Sequence, residues 1–189
     1  MLAEHLRDAA VTTAVFGFFA AAWFGWAQEA PPPAWRKPLI AGTVVSYLVL
    51  IAGGLLAWRY WHDGSVFDAP TSRAFGIIVG VEVAAAALGA VALTVRRHRE
   101  LIPVWIAFVV GVHLFPVASL IAYPAVHVVA ALVTFATVVS VPVARSRSIT
   151  PSAVVGTATG AVLLAGAFFS LAVAALGHPG SLWATGMPA

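Results

Sequence analysis

The stretch Leu101–Ala144 reads LIPVWIAFVVGVHLFPVASLIAYPAVHVVAALVTFATVVSVPVA and contains no Asp, Glu, Lys or Arg. As one helix it would be roughly 66 Å long at about 1.5 Å per residue, whereas the hydrocarbon core of a bilayer is about 30 Å thick. The stretch must therefore fold back on itself. Pro116 and Pro124 bracket the turn, because a proline removes a backbone donor and disfavours helix just before it. We predict a fourth helix at Leu101–Leu120 and a fifth at Ala125–Ala144.

Four further apolar runs have about the 20 residues that a membrane-crossing helix needs. They predict helices at Ala9–Ala27, Pro38–Trp58, Ala74–Val95 and Ser152–Leu176, the last ending at Gly177 with Pro179 as a stop signal. Of the 189 residues, 61% are hydrophobic and only 9% are charged, whereas a soluble domain carries about 25% charged residues. We therefore expect an all-α polytopic membrane protein, a bundle of six transmembrane helices in the lipid bilayer that forms a single domain over residues 1–189.

The basic residues predict the orientation of the bundle. One side carries seven, namely Arg36, Lys37, Arg96, Arg97, Arg99, Arg145 and Arg147, and the other carries Arg7, Arg59 and Arg73. Cytoplasmic loops are enriched in Lys and Arg, so we expect a bacterial cytoplasmic membrane protein with both termini extracytoplasmic. Orientation also accounts for the basic balance, and we expect no nucleic-acid partner. The region before the first run contains Glu4 and Asp8 and therefore lacks the positively charged segment that begins a signal peptide. We expect this first run to be retained as a helix.

Three ionisable side chains inside the predicted spans mark a candidate site. Glu82 is the only formally charged residue there, and such a residue is costly in a membrane and functional by default. His113 and His127 lie in the fourth and fifth helices. Counted from the outer ends, all three fall within roughly one helical turn of the same depth. We predict that Glu82, His113 and His127 form a catalytic acid–base site; the alternative is a structural Glu and packing histidines.

Polar and aromatic residues near the outer half of the bundle are candidates for substrate binding: Tyr47, Trp58, Asp63, Asp68, Phe115 and Tyr123. Aromatic rings can shelter a cationic intermediate, and the two aspartates lie in the loop Arg59–Arg73. The competing interpretation is an interfacial aromatic belt with ordinary turn residues in the loop.

Four functions remain open. The first is an intramembrane enzyme acting on a lipophilic substrate such as an isoprenoid or a lipid, and the second is a small proton-linked carrier that couples through Glu82. The third is a b-type haem held between His113 and His127, and the fourth is a scaffold without chemistry. The sequence has no cysteine, no His-Glu-x-x-His, no phosphate-binding Gly-rich loop and no Gly-x-Ser-x-Gly. It therefore predicts no metal site and leaves the cofactor unknown.

Two further patterns bear on assembly and on kinship. The pairs Gly76/Gly80 and Gly156/Gly160 have the four-residue spacing that lets membrane helices approach closely, which predicts packing or a homodimer. The segment Gly111–Pro116 reads GVHLFP and resembles a pattern in small uncharacterised six-helix bacterial membrane proteins. The resemblance covers at most helices three to five and implies no activity.

Overall fold

Six long helices account for most of the chain in this computed structural model, which describes residues 3–177. They are α1 (Leu6–Ala27), α2 (Arg36–Arg59), α3 (Ala69–Val95), α4 (Ile102–Leu120), α5 (Pro124–Arg147) and α6 (Pro151–Leu176). Short 3-10 turns at Pro33–Trp35 and Arg99–Leu101 lead into α2 and α4. Each of the six is long and apolar enough to cross a membrane. The predicted all-α bundle of an integral membrane protein is thus confirmed, while the stop signal at Pro179 lies outside the described residues.

The apolar stretch that required two crossings turns between α4 and α5, where only three residues separate the helices. The N–H of Tyr123 donates to the carbonyl of Ala118 at 3.1 Å, and Ala122 adopts a left-handed conformation with φ of 50°. Pro124 then opens α5, at a helical position where its missing N–H has no intrahelical partner to lose. The chain therefore folds back between the two prolines, as their positions predicted.

The largest difference from the predicted boundaries is at α3, which begins at Ala69 rather than Ala74. Asp68 caps this helix, because its carboxylate accepts a hydrogen bond of 2.8 Å from the N–H of Thr71. Pro70 in the first turn suits a helix start. Glu82 is consequently the midpoint of α3, thirteen residues from each end, and lies deeper than the eight residues that the sequence predicted.

Helices α1 and α6 form the centre of the bundle, with α2 against α1 and α5 between α6 and α4. Helix α3 lies at the edge of the described bundle, where its backbone approaches α4 and no other of the six long helices. A methyl group at Gly156 would lie 2.8 Å from the carbonyl oxygen of Trp23 in α1, so the glycine pair of α6 packs inside the bundle. Gly76 and Gly80 of α3 instead face open space, with no atom of another helix of the described chain within 4 Å.

Candidate functional site

A cavity of about 310 Å³ separates α1 from α3 and α4. The backbone of α1 does not approach α3 or α4 within the part of the chain that the structure describes, so side chains alone line the space between them. Four phenylalanines contribute to its walls, namely Phe16, Phe19, Phe67 and Phe75, and its polar lining residues are Asp8, Thr12, Glu82 and His113. The volume is near the lower end of the range of about 300–1,000 Å³ that is typical of small-molecule sites.

The cavity is elongated along the bundle axis. Its lining runs from Asp8 to Phe19 along α1 and from Val110 to Ile121 along α4, about 16 Å in each case at 1.5 Å per residue. Because α1 begins at the end of the bundle where α4 finishes, Asp8 lies opposite Ile121. His113 lies eight residues from Ile121, so the Glu82–His113 pair is toward the far end of the cavity from Asp8.

The cavity is open at the side of the bundle along α1. Val15 and Phe19 both line it, yet these residues are 43% and 46% exposed. Both belong to α1, whose backbone makes no contact with α3. The space between these two helices is therefore open to the outside of the bundle.

Glu82 and His113 face each other across the contact between α3 and α4. The Oε1 atom of Glu82 lies 3.2 Å from Nδ1 of His113, and the two side chains are 18% and 17% exposed. The pair therefore has the spacing of an ion contact without being a hydrogen bond. Nδ1 is buried and has no hydrogen-bond partner among the described residues. The separation of the two atoms lies within the range of about 2.6–3.2 Å at which acid–base partners exchange a proton.

Trp105 holds α3 in register with α4. Its indole Nε1–H donates a hydrogen bond of 3.0 Å to the carbonyl oxygen of Ala85. The same indole lies against Gly89, which follows Glu82 by seven residues, and Trp105 precedes His113 by eight residues. In two antiparallel helices these offsets bring the carboxyl and the imidazole to neighbouring positions.

A group of contacts that we call the clasp lies at the end of the cavity near Asp8. It is formed by Arg7, Asp8, Trp61, Ser65 and Val66. The Asp8 carboxylate is only 5% exposed and accepts hydrogen bonds from the Ser65 hydroxyl at 2.6 Å and the Val66 N–H at 2.9 Å. The Arg7 guanidinium donates to the Trp61 carbonyl at 3.1 Å and lies 4.1 Å from the Trp61 ring centroid. The clasp thus ties the first turn of α1 to the loop between α2 and α3.

His127 does not join Glu82 and His113. Its Nε2 atom lies 3.1 Å from Oγ of Ser119, and its ring is 6.3 Å from that of Phe115. Phe115 follows His113 by two residues, or about 200° around a helix at 100° per residue. The imidazole of His113 therefore points from one face of α4, while that of His127 in α5 packs against another face of α4. This arrangement does not place a haem between the two rings. Within residues 3–177 no cluster of three or more metal-ligating side chains occurs.

None of the six predicted substrate-binding residues lines the cavity. Tyr123 is fully buried and its hydroxyl lies 3.1 Å from the Ser170 hydroxyl, whereas Tyr47 and Trp58 are exposed on α2 and Phe115 packs beside His127. Asp63 is exposed in a turn. Asp68 is exposed and caps α3, and its hydrogen bonds with Thr71 lower the pKa of its carboxyl.

The sequence interpretation missed Asp8, Thr12 and the four phenylalanines as lining residues. A signal for the first two exists, because Asp8 adjoins the first apolar run and Thr12 follows it by four residues on the same helix face. The phenylalanines stand among other apolar residues and give no such signal. Comparison with protein-family models, curated proteins and solved structures found no match for this chain. The resemblance carried by Gly111–Pro116 stays a prediction.

Proposed function

We propose that this membrane protein is an intramembrane enzyme that uses Glu82 and His113 as an acid–base pair on a lipophilic substrate, an isoprenoid or a lipid. The observation that carries the proposal is the 3.2 Å contact between these side chains inside a cavity that opens toward lipid. A substrate dissolved in the bilayer would enter between α1 and α3. It would reach Glu82 and His113 without passing through the aqueous phase.

The chemistry that suits this pair is the removal of a proton from the substrate and its return at another position. One group accepts a proton from a substrate C–H or O–H bond while the other donates a proton to a second atom, so the net reaction is an isomerisation that needs no co-reactant. Apolar walls strengthen the electrostatic effect of both groups, because the local dielectric constant is low. The phenylalanine rings would stabilise positive charge that develops on the substrate.

The distribution of basic residues supports an orientation for this site. Seven Lys and Arg residues on one side against three on the other favour a bacterial cytoplasmic membrane with the termini outside. In that orientation the clasp faces the extracytoplasmic side, and the Glu82–His113 pair lies near the middle of the bilayer.

Deuterium exchange tests the enzyme without knowledge of the substrate. Purified protein is incubated in D₂O with a total lipid extract of the membranes that express it, and carbon-bound deuterium in the lipids is measured by mass spectrometry. The wild type should label at least one lipid species. Glu82→Gln should lower the rate at least about a hundredfold, the low end for loss of an acid–base group.

The exposed pair His98–Glu100, whose Nδ1 and Oε1 atoms are 3.3 Å apart, supplies the matched control. It has nearly the same spacing outside the cavity, so Glu100→Gln should leave labelling unchanged. A folded wild-type protein that labels no lipid would rule out the enzyme.

A proton-linked carrier is the second candidate, favoured by the peripheral position of α3. This helix carries Glu82 and contacts only α4 among the long helices of the described chain, so it can shift without disturbing the centre of the bundle. In proteoliposomes with an imposed pH gradient, a carrier would dissipate the gradient when the lipid extract is added. An enzyme would leave the gradient intact and would still label lipid.

A further inference from the structure

We infer that the cavity selects a positively charged amphiphile, a lipophilic amine or quaternary ammonium compound with a single hydrocarbon chain, and binds its cationic group at Glu82. The inference names the class of ligand that binds in this cavity. It rests on the proposed function only in taking the same cavity as the functional site. It would hold equally for an enzyme and for a carrier.

The charge of the lining supports a cation. Its titratable residues are Asp8 from α1, Glu82 from α3 and His113 from α4, and α5 and α6 contribute only the apolar Val126 and Leu163. Two acidic side chains and one imidazole therefore face the cavity, with no Lys or Arg among the lining residues. An anionic group there would meet carboxyls without a basic partner, at a high electrostatic cost in a low dielectric.

Glu82 rather than Asp8 is the free acidic group. The carboxylate of Asp8 already accepts hydrogen bonds from Ser65 and Val66 in the clasp. Among the described residues, the carboxyl of Glu82 makes a polar contact with His113 alone, and no hydrogen bond. A ligand cation and a proton would both bind the carboxylate of Glu82, so the two should compete.

Aromatic rings add to the attraction. The faces of phenylalanine rings attract ammonium groups within about 6 Å. Phe16 and Phe19 line the α1 wall, and Phe67 and Phe75 form an edge-to-face pair with centroids 5.3 Å apart near the clasp. Phe75 precedes Glu82 by seven residues, two turns along the same face of α3. A cation would therefore meet aromatic walls along its path to the carboxyl.

The shape of the cavity sets the rest of the ligand. A volume of about 310 Å³ extended over about 16 Å gives room for one extended hydrocarbon chain, and not for the two chains of a phospholipid. The side opening between α1 and α3 lets such a chain enter from the bilayer. The structure thus favours a single-chain cationic amphiphile.

Three probes with the same chain test the inference: dodecyltrimethylammonium, dodecanol and dodecyl sulfate, each titrated below its micelle concentration into the full-length protein in nanodiscs. The ammonium probe should bind about tenfold or more tightly than the alcohol, with the sulfate weakest. Glu82→Gln should remove the preference for the cation, and Glu100→Gln should keep it. Acidification should weaken binding of the ammonium probe to the wild type and not to Glu82→Gln.

The wild type alone suffices to overturn the inference, even if Glu82→Gln fails to fold. Equal affinity for the three probes, or a preference for the sulfate, would contradict it, as would full cation selectivity in folded Glu82→Gln. The result is separable from the proposed function. Selective binding without deuterium exchange would refute the enzyme and leave the cation site standing, whereas exchange without charge preference would do the reverse.

Discussion

The indole ring of Trp105 in α4 lies directly against Gly89 in α3, so closely that a methyl group at position 89 would overlap the ring. The same indole donates its N–H to the carbonyl of Ala85, one turn earlier in α3. No other long helix of the described chain approaches the backbone of α3. This contact therefore sets both the register and the rotation of α3, and with them the position of Glu82 opposite His113.

Substitution of Gly89 by alanine should push α3 away from α4. Overpacking of a well-filled contact costs about 1–3 kcal/mol, and separation of Glu82 from His113 should also weaken lipid labelling. Gly80→Ala is the matched control, because a methyl group there meets open space and alanine favours the helix. Unfolding in detergent micelles measures the difference. Equal stability of the two variants would show that the ring does not contact Gly89.

The clasp supplies a second prediction. Asp8→Ala should leave the Val66 N–H and the Ser65 hydroxyl without their acceptor, at a cost of about 1–3 kcal/mol for each group that stays buried. The loop between α2 and α3 should then loosen, and the amide of Val66 should exchange hydrogen faster. Asp63→Ala is the control, since Asp63 is exposed in the same loop. Unchanged exchange at Val66 in Asp8→Ala would contradict the clasp.

The fold could be predicted from the sequence because the length of an apolar run and the position of a proline limit a membrane helix directly. Residue counting placed Glu82 and His113 at similar depths, and the two are in contact, although α3 begins earlier than predicted and Glu82 lies deeper than the count gave. The rotation of each helix about its own axis could not be predicted in this way. A helix in lipid is apolar on all sides, so no amphipathic stripe shows which face meets the cavity.

The placement of His127 and of the phenylalanines illustrates this limit. His127 was expected at the depth of the pair, but the rotation of α5 directs it toward Ser119. Phe16 and Phe19 line the cavity while Phe18, between them in sequence, is 51% exposed and does not. Packing of small residues fixes such rotations, and the sequence alone does not say which glycine meets which helix.

The crossing of α1 and α2 allows a third prediction on this point. A methyl group at Gly53 would lie 2.6 Å from the backbone nitrogen of Ala14, whereas one at the neighbouring Gly54 meets nothing within 4 Å. Gly53→Ala should therefore destabilise the bundle by about 1–3 kcal/mol, less the helix propensity of about 1 kcal/mol that alanine gains over glycine. Gly54→Ala should gain this helix propensity without a steric cost, and should therefore be the more stable of the two variants. If denaturant titration ranks Gly53→Ala as the more stable variant, the close crossing is wrong.

The cap of α3 gives a prediction with a defined pH dependence. Hydrogen bonds with Thr71 hold the pKa of the exposed Asp68 carboxyl below its ordinary value of 3.8. Since the folded state has the lower pKa, the cap contributes fully above the ordinary value and is lost as the pH falls through the folded value. The first turn of α3 should therefore open in acid. Hydrogen exchange of the Thr71 amide, corrected for its intrinsic pH dependence, measures this opening.

Two variants separate the charge of Asp68 from its role as a cap. Asparagine caps a helix about as well as aspartate and does not titrate in this range, so Asp68→Asn should protect the Thr71 amide without the acid-dependent loss. Asp68→Ala removes the acceptor and should leave that amide unprotected at every pH. Because Asp68 lies fourteen residues before Glu82 in the chain, neither variant should change the charge preference of the cavity. Equal, pH-independent protection in the wild type and Asp68→Ala would mean that the side chain does not cap α3, and that its start at Ala69 has another cause.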